Sequence, residues 1–241
     1  MSVEKIAMSK KREGRPALCP YCCLRPGTTR DHIIPQSLFP KPLPNGINLP
    51  TVKACAECNN IKKSGGDTFL RDFLITDMHC SDHPAAQALL NGEMGRAMRS
   101  NRSDFARAAV PKGRPVPLFT PTGLYVGECY TAPLDGERIN RIFATITRGL
   151  YFKVLRRLLP AETQFEVRRQ DPRYIGELLE SVQPPNAWCR PPSLADVFTC
   201  VYAIGPYEKA QSLWLMQFYG SMYISVFTTT EEASLVPSPA S

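Results

Sequence analysis

Two short cysteine pairs constrain this chain more than any other feature: Cys19-Pro-Tyr-Cys22 and Cys55-Ala-Glu-Cys58. A gap of two residues lets both thiolates of a pair reach one ion from a tight knuckle, and two knuckles complete a tetrahedral zinc site. Residues 23–54, 32 in all, lie between the pairs. That is more than a plain zinc ribbon needs, so something is inserted. The chain holds nine cysteines, an odd number, in 241 residues, which is too long for a small disulfide scaffold. Short-spaced pairs in such a chain hold metal more often than they bridge each other. Cys23, beside Cys22, reads as a spare small residue.

Hydrophobic residues make up 43% and charged residues 21%, which suits a soluble globular protein with a buried core. No stretch approaches the roughly 20 apolar residues of a membrane span. The basic start (Lys5, Lys10, Lys11, Arg12, Arg15) is followed by no apolar h-region. No signal peptide is therefore expected, and a cytoplasmic location is. The net charge of +7 favours a polyanionic partner, because Lys and Arg release counterions condensed on phosphates.

Composition divides the chain. Residues 1–15 read as a flexible basic arm. Residues 16–66, dense in Cys, Pro, Gly and Asn, read as a small module that needs a metal staple because its core is too small to hold it. Residues 67–115 read as a connector. Phe69, Leu70, Phe73 and Leu74 predict a short amphipathic helix after Gly65-Gly66. Beyond it comes a basic helix and linker carrying Arg96, Arg99, Arg102, Arg107, Lys112 and Arg114. Residues 116–230 read as a separate α+β unit, with a strand at Gly123–Tyr130 and a long helix from Glu137 to Leu159 that Pro160 ends. A strand at Phe165–Arg168, a helix at Arg173–Val182 and strands at Phe198–Ile204 and Leu213–Thr228 complete it. Residues 231–241 read as a disordered tail.

The insert contains Arg30-Asp31-His32-Ile33-Ile34-Pro35, then Asn45-Gly46-Ile47-Asn48-Leu49-Pro50, and the second knuckle runs into Asn59-Asn60-Ile61-Lys62-Lys63. Neighbouring side chains of a strand face opposite ways, so Asp31 and His32 can take different roles. Phosphodiester hydrolysis needs a hard cation beside the phosphate and a neutral imidazole to deprotonate water. Oxygen ligands from Asp and Asn suit magnesium or manganese.

The order Cys-x-x-Cys, Asp-His-Ile-x-Pro, Asn-Leu, Cys-x-x-Cys-Asn-Asn-x-Lys-Lys resembles the HNH endonuclease family in its zinc-stapled form, over about 45 to 50 residues. The resemblance implies a ββα-metal hairpin and helix that hydrolyses phosphodiester bonds. His32 then resembles the general base, Asp31 and Asn59 the ligands of a catalytic magnesium or manganese ion, and Asn48 the residue that tethers the loop and orients the base. Cys19, Cys22, Cys55 and Cys58 would hold the structural zinc. Arg30, Lys62 and Lys63 would contact nucleic acid. Many members carry histidine where Asn59 stands, and an asparagine there keeps an oxygen ligand. Whether Asn59 or its neighbour Asn60 faces the ion is open.

The resemblance implies double-stranded DNA as substrate and a 5′-phosphate product. One such site cuts one strand, so a double-strand break needs a homodimer or two nicks. An RNA-directed nuclease and a non-catalytic zinc module that binds nucleic acid remain alternatives, and the C-terminal unit could serve a partner protein. His79, Cys80 and His83 read as a helix end or turn and not as a second metal site. Cys129, Cys189 and Cys200 read as buried small residues, and Trp188 and Trp214 as core.

Overall fold

β1 (Thr29–His32) and β2 (Thr51–Ala54) pair antiparallel, with Asp31 opposite Val52 and His32 opposite Thr51. They belong to a computed structural model that describes residues 17–43, 48–77, 79–100, 103, 105, 107, 112–131, 133–181, 194, 196–205 and 211–230. Gly27 lets the chain enter β1, because a Cβ there would run into the backbone carbonyl of Lys53. Cys55 then caps α1 (Ala56–Ile61), its sulfur accepting from the N–H of Cys58. A π-type turn, Lys62–Gly66, kinks the backbone at Gly65 and leads directly into α2 (Asp67–Ile75). The predicted amphipathic helix is therefore the continuation of the helix that follows the second knuckle.

α3 (Pro84–Leu89) and α4 (Gly95–Arg99) follow, separated by a second π-type turn. His83 caps α3 through Nδ1, and Cys80 is buried in the turn before it. Arg102, Cys189 and Trp188 lie outside the described residues, as do the 1–15 arm and the 231–241 tail.

β3 (Arg114–Phe119) and β4 (Tyr125–Thr131) make a second two-stranded sheet. The expected basic linker thus runs into a strand at Arg114. α5 (Gly136–Leu155) is capped by Asp135, which accepts from the Arg138 N–H at 2.9 Å. It ends before Pro160: Arg156 adopts a left-handed conformation (φ 56°) and its N–H returns to the carbonyl of Phe152. β5 (Gln164–Gln170), α6 (Ile175–Ser181), β6 (Phe198–Ile204), β7 (Ser212–Phe218) and β8 (Met222–Thr229) complete the order. The last strands form an antiparallel sheet in the order β5-β8-β7-β6.

The expected separation of residues 116–230 from the cysteine module fails on burial. One cluster of buried side chains includes Cys19, Ile33, Leu38 and Leu74 together with Phe143, Trp214, Phe218 and Val226. α5 joins the halves because two of its faces are buried. Phe143 and Tyr151 meet Phe218 and Trp214 of the sheet. On another face, Gly149 lies so close to Ile33 and Tyr21 that a Cβ would stand 2.9 Å from Ile33 Cγ2. The sheet also reaches the module through Tyr219, which is left-handed (φ 49°) in the β7–β8 turn and donates its hydroxyl to Leu38 O at 2.9 Å. The module is thus held by apolar burial against the rest of the chain.

Candidate metal and catalytic site

The Sγ atoms of Cys19, Cys22, Cys55 and Cys58 all lie within 4.8 Å of one another. Two loops far apart in sequence bring them together: the turn before β1 and the N-terminus of α1. Their chemistry and spacing fit a tetrahedral metal ion such as zinc. Arg25 and Glu57, one on each knuckle, form an ion pair across the rim.

β1 alternates as its sequence requires. Thr29 and Asp31 face inward, Arg30 and His32 outward. Asp31 is 3% exposed and accepts from the Tyr21 hydroxyl at 2.6 Å and from Lys62 Nζ at 2.9 Å. Burial, and then the Asp31 charge, push the Tyr21 hydroxyl far above the ordinary phenol range, so it stays a donor. Lys62 also donates to the carbonyls of His32 and Ile33. An ammonium has three N–H donors, and here three oxygens receive them. Among the described residues, these three contacts occupy the N–H groups of Lys62. Arg30 and Lys63 are exposed.

Asn59 is 4% exposed, whereas Asn60 faces solvent. Its Nδ2 donates to Thr29 Oγ1 at 3.0 Å, and its Oδ1 is buried with no partner among the described residues. A buried carbonyl oxygen without a donor costs about 1–3 kcal/mol, so such an atom points to a cation or a water. Asn59 and Lys62, three residues apart, share the helix face that looks at β1.

His32 is half-buried at the surface end of β1, with Gln36 Nε2 3.3 Å from its Nε2. With the amide donating, the ring proton sits on Nδ1 and the lone pair of Nε2 points outward. Burial lowers the His32 pKa below the usual 6.5; Arg30, Lys62 and Lys63 act the same way, against Asp31. The ring is neutral near pH 7. Asn48 is exposed, and among the described residues it has no hydrogen bond to His32; residues 44–47 beside it lie outside them.

Sequence reasoning missed Tyr21, Gln36, Thr29 and Asp67. Asp67 lies beside Lys62, and burial raises its carboxyl to about 6, with Lys62 opposing the shift. Strand alternation could have found Thr29, two residues before Asp31. Helical spacing from Asn59 could have placed Lys62 inside.

As donors, the carboxylate of Asp31 and the free Oδ1 of Asn59 suit a hard divalent cation. The ammonium of Lys62 already stands against Asp31, so a second cation there would have to share or displace it. Comparisons with protein-family models, with curated proteins and with solved structures find no match for this chain.

Proposed function

We propose that the chain is a metal-dependent endonuclease of the HNH type that hydrolyses phosphodiester bonds in DNA. The observation that carries the reading is the orphaned Oδ1 of Asn59, sealed inside the hairpin–helix junction on the side of β1 that bears Asp31. A hard cation bound there, magnesium or manganese, would stabilise negative charge on the scissile phosphate and its leaving oxygen. His32, neutral at working pH, would accept the proton of the attacking water at Nε2 once the Gln36 amide gives way. Arg30 and Lys63, both exposed, would hold the flanking phosphates. A zinc ion in the four thiolates would fix the hairpin against α1.

A second reading rests on Asp31 itself. Its partners, Tyr21 and Lys62, satisfy it as a buried structural carboxylate does. On that reading the module binds nucleic acid without cutting it.

A plasmid-nicking assay with magnesium or manganese, run beside a matched RNA, separates the two. We expect cleavage that His32→Ala lowers by about 10²–10⁴-fold with zinc content unchanged. Because the base must be deprotonated, the rate should rise with pH through a value below 6.5 and then level off. Binding without cleavage in either metal would leave the second reading.

A further inference from the structure

The β3–β4 hairpin stands apart from the core. Val116, Phe119, Leu124, Tyr125 and Val126 are all more than a third exposed, with Leu124 at 67%. A two-stranded hairpin without further strands or a packed face is marginal in water. Its only charges over 114–131 are Arg114 and Glu128, so it offers phosphate no row of cations.

The two edges of this hairpin differ chemically. Pro115 and Pro117 pair with Tyr130 and Glu128. Proline has no N–H to give the ladder, so both must occupy the positions whose backbone groups point away from β4. The outer edge of β3 therefore lacks donors at two successive outward positions. By the same register, Glu128 and Tyr130 turn their N–H and C=O groups outward along β4, and no described strand pairs with them. One edge is closed and the other is open.

We propose that the open β4 edge pairs antiparallel with β4 of a second copy of this chain, making a four-stranded sheet in the order β3-β4-β4-β3 across a two-fold axis. Such a sheet closes on itself, because both outer edges are then proline-blocked; the assembly stops at two chains and does not grow into a fibre. Charge selects the register. Placing Glu128 opposite Glu128 of the second copy sets like charges face to face, which a shift of two residues avoids. The shifted register puts Glu128 opposite Tyr130 of the second copy and Cys129 opposite Cys129 of the second copy. The apolar side chains of the two hairpins then lie side by side. The proposal does not rest on the nuclease reading.

Sedimentation equilibrium of the full chain should give twice the chain mass at micromolar concentration. Tyr130→Pro removes an outward N–H without touching the β3–β4 ladder, and should return the protein to a monomer with its melting temperature nearly unchanged. Mild copper–phenanthroline oxidation of the unmodified protein should give a covalent dimer on denaturing gels, absent in Cys129→Ser. A monomer at all concentrations would overturn the proposal. So would a dimer that survives Tyr130→Pro, or one that yields no cross-link through Cys129.

Discussion

Lys62 Nζ lies 2.9 Å from Asp31 Oδ2 with both side chains below a tenth exposed, so an ammonium and a carboxylate face each other where little water reaches. Removing either partner leaves the other buried and unpaired, a loss of about 3–5 kcal/mol. Lys62→Met and Asp31→Asn should each destabilise by that order in urea unfolding. The double variant should lose clearly less than the sum, because the desolvation of an orphaned charge is no longer imposed. Additive losses would show that the pair does not act as a unit.

Asp67 ties stability to pH in the opposite sense from an ordinary salt-bridged acid. Its folded carboxyl titrates near 6, above the usual 3.8, chiefly because it is buried. The folded state thus binds more protons than the unfolded state between about pH 4 and 6, and stability falls as pH rises through that window. Asp67→Asn should flatten this slope and stabilise the protein at pH 7, as read from melting temperatures across pH 4–8. An unchanged profile would place the carboxyl in solvent.

Removal of the metal should loosen the N-terminal half first. A zinc ion held by the four thiols would tie the turn before β1 to the start of α1, whereas the sheet's part of the shared core, around Trp214 and Phe218, is packed without it. A strong chelator should release one zinc per chain and lower the melting temperature. Hydrogen exchange should lose protection in 17–61 before it does in 198–229. Cys58→Ser should reproduce the effect. Equal loss in both regions would mean that they unfold as one unit.

Gly149 tests how closely α5 is fitted to the strand that carries His32. Alanine at a helix interior gains about 1 kcal/mol over glycine in propensity. Here the new methyl would meet Ile33 Cγ2 at 2.9 Å and Tyr21 Cε1 at 3.2 Å. Overpacking of this kind costs about 1–3 kcal/mol. Gly149→Ala should therefore be net destabilising, and by displacing Ile33 it should perturb the ring signals of His32 in NMR spectra. A stabilised variant would show that the interface yields freely.

The cysteine knuckles, the strand bearing Asp31 and His32 and the long α5 could all be read from the chain because each depends on local spacing. Two thiols per turn, alternation along a strand and an apolar period near 3.6 are set by neighbours in sequence. What only tertiary structure decided is where the charges go. Lys62 and Lys63 look alike in the sequence, yet one ammonium is sealed against Asp31 and the other stays in solvent, because the turn that continues α1 presents only one of them to β1. Local spacing also could not show that residues 17–75 and 136–229 share one core. That depends on Gly149 admitting Ile33 and on Tyr219 reaching Leu38, contacts between residues more than a hundred positions apart.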